Sequence, residues 1–178
     1  MINVSALVQL KAFARIDGAW LALLWVASFA CIIYLPQSMA GSLLMFATPL
    51  FVAWRLFKFR NDALDGTISF RRAFAYGCYT FFYASLLFAV AQYLYFAYLD
   101  GGRFGQMLEE ALQTIEPMYK QSGIDTQEAR ETLKLMAQLS PIEKAFVFMV
   151  QNLSIGLFLS MTVAVVGMKK PRTNQYNR

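Results

Sequence analysis

Four long apolar runs, nearly free of charge, leave this chain few folds to choose from. They cover 19–35, 39–57, 73–98 and 145–168; none contains Asp, Glu or His, and only Arg55 is charged. At about 1.5 Å of rise per residue, about twenty helical residues cross a hydrocarbon layer of about 30 Å. Each run meets that length, the first only marginally. A closed β-barrel would need short strands alternating apolar and polar residues, which these uniform runs do not offer. The expectation is an all-α membrane protein with four transmembrane helices, folded as a single membrane domain over 1–178. Composition agrees: 58% of the residues are hydrophobic, against about 45–50% in soluble domains.

The basic residues that flank the runs predict an orientation. Lys11 and Arg15 precede the first run, Lys58, Arg60, Arg71 and Arg72 join the second to the third, and Lys169, Lys170, Arg172 and Arg178 follow the fourth. The Pro36-Gln37-Ser38 turn has no charge, and the long connection before the fourth run is richer in acid than in base. Cytoplasmic segments carry the excess of Lys and Arg, so both termini are expected to be cytoplasmic in an inner, or cytoplasmic, membrane. Asp17, Asp62 and Asp65 then fall on the cytoplasmic side. The sequence pI of 9.3 follows from this strip of charge, which suits anionic lipid head groups. Membrane lipids are the expected contacts, and nucleic acid is not.

The third connection is too long for a structureless loop and reads as an extracytoplasmic helical hairpin at about 103–139. Phe104, Met107, Leu108, Ala111, Leu112, Ile115, Met118 and Tyr119 recur at amphipathic-helix spacing. Pro117 should kink that helix and Gly123 should end it. Asp125 and Glu128 have the spacing of a capping box for a second helix with a Leu133, Met136, Leu139 stripe. Such a hairpin is either a cap on the spans or a docking surface. Ser140-Pro141-Ile142-Glu143 combines an N-cap, a first-turn proline and a capping-box glutamate at the start of the last span.

Chemistry-bearing constellations are scarce. The chain has no histidine, and Cys31 and Cys78 lie at opposite depths, too far apart to pair. No metal-ligand set, nucleophile arrangement or phosphate loop stands out, so neither cofactor nor enzymatic activity is expected. Polar groups within spans often mark pathways, and Gln92, Gln151 and Asn152 form an intramembrane polar layer about 9 Å below the outer boundary. They either hydrogen-bond across helices, worth about 0.5–2 kcal/mol, or line a polar cleft. Gly156, Ser160 and Ala164 make a small-residue stripe for close helix packing, against an internal span or a second protein. Pro49 should bend the second span. The Tyr76, Tyr79 and Tyr83 face reads as packing.

Arg60-Asn61-Asp62, Gly66-Thr67-Ile68-Ser69-Phe70, Ala73-Phe74 and Gly77 together resemble a signature of the bacterial family catalogued as domain of unknown function 4199. Tyr95-Phe96-Ala97-Tyr98-Leu99-Asp100 is similar to the end of that family's third span, although Gly101 stands where members often have proline. The resemblance implies a four-span inner-membrane protein of a Gram-negative bacterium, with a helical insertion before the last span and no established catalytic residue. It also implies a genomic association with polyprenyl-phosphate glycosyltransferases. Read by itself, the loop is a turn in which Gly66 takes a positive φ and Ser69 caps the third helix. Arg60, Arg71 and Arg72 would be left to contact head groups or an acidic partner. The leading expectation is a non-enzymatic accessory or scaffold subunit of a membrane complex, linked to lipid-linked sugars. It would dock a membrane protein partner, or a second copy, through Gly156, Ser160 and Ala164 and the hairpin. The alternative is a small transporter or lipid-handling protein using Gln92, Gln151 and Asn152.

Overall fold

The computed structural model describes residues 4–121 and 126–169. These form seven helices: α1 Val4–Tyr34, α2 Ala40–Phe46, α3 Thr48–Ala63, α4 Phe70–Tyr98, α5 Arg103–Gln121, α6 Gln127–Gln138 and α7 Pro141–Gly167. Among the described residues α1, α4 and α7 are each long and apolar enough to cross a membrane, and α2 with α3 makes a fourth span if the bent pair is counted as one. Long stretches of Phe, Leu, Val and Met on the outer faces of these helices are exposed, as a lipid-facing surface requires.

The first span does not start at residue 19. The helix is continuous from Val4, so the residues before Ala19 are its first turns. This places Asp17 inside the helix with only 1% of it exposed. The second run is broken: α2 and α3 meet at Ala47 with a bend of 40°. Pro49 sits in the first turn of α3, where its missing N–H costs nothing, and the expected bend therefore appears as a break between two helices.

Helix α4 is central and packs most extensively on α7 and α1, and α3 closes the bundle against α1, α7 and α4. Small residues set the closest approaches. A Cβ on Gly77 would lie 2.8 Å from Ser160 Cβ, and one on Gly156 would lie 2.5 Å from Phe81 Cγ. Ser160 and Ala164 are fully buried. The stripe of Gly156, Ser160 and Ala164 is thus used inside the chain, against α4, and is not open to a second protein.

One end of the bundle gathers the start of α1, the α3–α4 turn and the end of α7. Gly66 has φ 75° and Asp65 joins it at φ 49°, and the Ser69 side chain accepts from Arg72 N at the start of α4. Ile68 and Lys169 exchange both backbone hydrogen bonds at 3.0 Å. At the other end Tyr95, Phe96 and Phe104 form an aromatic cluster with Phe29 and Phe148, which seats α5 on the bundle. Helices α5 and α6 pack on each other and are joined by an ion pair between Arg130 and Glu116. α5 runs on through Pro117. Gly123 and Asp125, expected to end α5 and cap α6, lie outside the described residues; the N-cap of α6 is Thr126, whose side chain makes no cap hydrogen bond. The capping box of Ser140 and Glu143 is complete.

Candidate functional site

The broken span leaves a space in the half of the bundle nearer α5. Helix α2 turns away to lie on α1, where Gly41 admits it: a Cβ there would meet Ile32 Cγ1 at 2.5 Å. Ser28 Oγ donates to the Gly41 carbonyl at 2.7 Å, and Trp25 Nε1 donates to Thr48 Oγ1 at 3.0 Å. These bonds hold the bend to α1, while α7 stays on α4 and α3.

The result is a cavity of about 500 Å3, walled by Trp25 and Phe29 of α1, Phe88 of α4, Phe104 and Met107 of α5 and Ile155 of α7, among others. Gln92, Gln151 and Asn152 all line it, so the three amides predicted at one depth do meet at one space. Among the described residues no hydrogen bond joins them. Gln92 is only 2% exposed, and its Oε1 is buried with no hydrogen-bond partner, which leaves a desolvated polar group worth about 1–3 kcal/mol unsatisfied. Met45, Phe46 and Ile155 belong to the wall and are also exposed on the bundle surface. The cavity therefore reaches the lateral surface between α2 and α7.

None of the lining residues ionises. The wall is aromatic and aliphatic apart from the amides and the hydroxyls of Ser28 and Thr48, which are already engaged with protein partners. Such a site can enclose an apolar chain and offer a hydrogen-bonding group to one end of it.

Nearer the basic end lies a constellation that the sequence reading missed. Arg55 Nε donates to Asp17 Oδ1 at 2.6 Å, the two also form an ion pair, and the Tyr76 hydroxyl donates to Asp17 Oδ2. Tyr76 is fully buried and stacks on Phe59 at 5.0 Å between ring centroids. Three helices are thereby tied to one carboxylate. The signal that could have found it was the pairing of one acid and one base at the facing ends of the first two runs, with a tyrosine at the same level of the third.

The three loop arginines separate into different roles. Arg60 Nη1 donates to the Gly167 carbonyl at 3.0 Å, and its guanidinium lies 5.0 Å from the centre of the Phe57 ring. Arg72 Nη2 donates to Gln9 Oε1 at 2.9 Å, and Gln9 Nε2 reaches the Ala63 carbonyl at 3.4 Å. Arg71 is exposed.

Apolar helices long enough to span, an internal ion pair and a cavity within the bundle define a multi-pass helical membrane protein. A family model described as protein of unknown function (DUF4199) matches residues 17–169, and the chain belongs to that family. The matched stretch runs from the buried Asp17 to the Lys169 that pairs with Ile68. Neither the curated proteins nor the solved structures provide a match.

Proposed function

We propose that this protein is a lipid-handling membrane protein that binds by enclosure and not by catalysis, and takes one apolar chain from the surrounding bilayer into its cavity. The observation that carries this reading is the buried, unpartnered Gln92 Oε1 in the wall of a cavity of about 500 Å3. That volume lies within the range of about 300–1,000 Å3 typical of small-molecule sites. Entry is lateral, between α2 and α7. The basic end is cytoplasmic in a bacterial inner membrane, supported by the excess of Lys and Arg there, which sets the cavity in the outer leaflet. On this topology α5 and α6 form an extracytoplasmic hairpin roofing the cavity through Phe104 and Met107.

Trp25 borders the cavity and is nearly buried, whereas Trp20 and Trp54 are exposed. A Trp20→Phe/Trp54→Phe protein in nanodiscs should show Trp25 fluorescence quenched by a single-chain amphiphile brominated along its chain. Ile155→Phe, which fills the space, should remove the quenching. Quenching that is absent, or unchanged by Ile155→Phe, rejects the proposal.

A second reading, an accessory subunit of a membrane complex, is supported by the exposed apolar side chains Ile115, Met118, Tyr119 and Leu135 on α5 and α6. Gly156, Ser160 and Ala164 no longer contribute to it, because α4 covers them. A partner retained in native membranes and lost on Met118→Glu with Leu135→Glu would favour this reading.

A further inference from the structure

We infer that the ligand of this cavity is a neutral single-chain amphiphile whose head is a hydroxyl or carboxamide, not a charged lipid; this rests on the cavity being a lipid site. The chain part follows from the wall, where Trp25, Phe29, Phe81, Phe88 and Phe148 surround the space. Four rings of this set make aromatic contacts among themselves: Trp25 with Phe81 at 6.0 Å and with Phe88 at 5.7 Å, and Phe29 with Phe88 at 5.9 Å between centroids. They form a fixed apolar sleeve that favours an alkyl or isoprenoid chain by removing its surface from water.

The head follows from what the wall contains and what it omits. No lysine or arginine lines the cavity, and Arg55, the cation nearest in sequence to α2, is committed to Asp17. A phosphate or carboxylate drawn inside would be an uncompensated charge in a dry environment, which is far more costly than leaving it at the membrane surface. A bare hydrocarbon would leave Gln92 as it stands, with its amide oxygen unpaired. A neutral head with both donor and acceptor matches an amide on either of its polar atoms. The hydroxyls of Ser28 and Thr48 do not serve this purpose for Gln92: the one hydrogen of Ser28 Oγ goes to the Gly41 carbonyl, and Thr48, which accepts from Trp25, makes no hydrogen bond to Gln92 Oε1. Gln151 and Asn152, exposed and half-buried respectively, stand where the head enters, and Gln92 stands where it comes to rest.

The test is competition against the brominated amphiphile in the Trp20→Phe/Trp54→Phe protein in nanodiscs, using hexadecanol, hexadecanamide, hexadecane, palmitate at pH 8 and hexadecyl phosphate. Hexadecanol and hexadecanamide should displace the probe at concentrations at least about tenfold below the other three, as one satisfied buried hydrogen bond requires. In Gln92→Leu the alcohol should fall to the level of the alkane while the alkane is unchanged or improved. Gln151→Leu and Asn152→Leu change less buried positions and should narrow the same preference. Equal competition by the alkane and the alcohol, or stronger competition by palmitate or the alkyl phosphate, overturns the inference and leaves the lipid site standing. A probe that never quenches Trp25 overturns both.

Discussion

Arg60 donates from Nη1 to the carbonyl of Gly167, 3.0 Å away, so a side chain of α3 closes the last turn of α7 107 residues further along the chain. The end of an α-helix leaves carbonyls without intrahelical partners, and a cation there is favoured by the helix dipole. The adjacent pairing of Ile68 with Lys169 makes this corner a latch between the turn and the last span. Arg60→Ala should accelerate hydrogen exchange at the Ile68 and Lys169 amides, consistent with a charged hydrogen bond worth about 1.5–3 kcal/mol. Arg60→Lys should recover part of the protection.

The buried carboxylate gives a second expectation. Asp17 is 1% exposed, whereas the Arg55 side chain is 17% exposed. Removing one partner of a buried pair costs about 3–5 kcal/mol because the other is left uncompensated. Arg55→Gln should therefore destabilise more than Asp17→Asn, and the double variant should lose less than the two single losses added together. Thermal unfolding in detergent of the four proteins forms the cycle; additive losses would show that the pair is not coupled.

Helix contact between α4 and α7 is testable by exchanging small residues. Gly77→Ala would bring its new Cβ to 2.8 Å from Ser160 Cβ, and overpacking of this kind costs about 1–3 kcal/mol, more than the roughly 1 kcal/mol that alanine gains over glycine in a helix. Adding Ser160→Gly should restore most of the thermal stability. Gly156→Ala faces the Phe81 ring at its base, 2.5 Å away, and should be the more damaging of the single changes.

Orientation is open to direct labelling. In a protein without Cys31 and Cys78, Leu135→Cys should react with a membrane-impermeant maleimide applied from outside intact cells, and Asp62→Cys should react only after permeabilisation. The reverse pattern would invert the bundle and move the cavity to the inner leaflet.

Much of the architecture was legible because uniform hydrophobicity over about twenty residues has few other solutions. The Ser140 capping box, the Ser69 cap and the positive φ of Gly66 are local, and local rules reached them. The burial of Asp17 was missed for a physical reason: hydropathy treats a carboxylate as a boundary, whereas Arg55 and Tyr76 supply from other helices the partners that make it tolerable in the core. The amide layer was found by depth along the helices alone. That Gln92 would line a cavity and not bond across to Asn152 depended on the direction taken by α2 after the break at Ala47, which no local pattern encodes. The direction faced by Gly156, Ser160 and Ala164 was likewise a question of which neighbour fitted, and Phe81 answered it.

The carboxylate held by Arg55 and Tyr76 also constrains the order of assembly. Asp17 enters the membrane 38 residues ahead of Arg55 and 59 ahead of Tyr76. An aspartate deep in an isolated helix opposes insertion by up to about 2.5–3.5 kcal/mol. Until α3 and α4 have been made, α1 lacks both partners that hold this carboxylate in the bundle, Arg55 and Tyr76. The first span to be made is thus among the last to be finished.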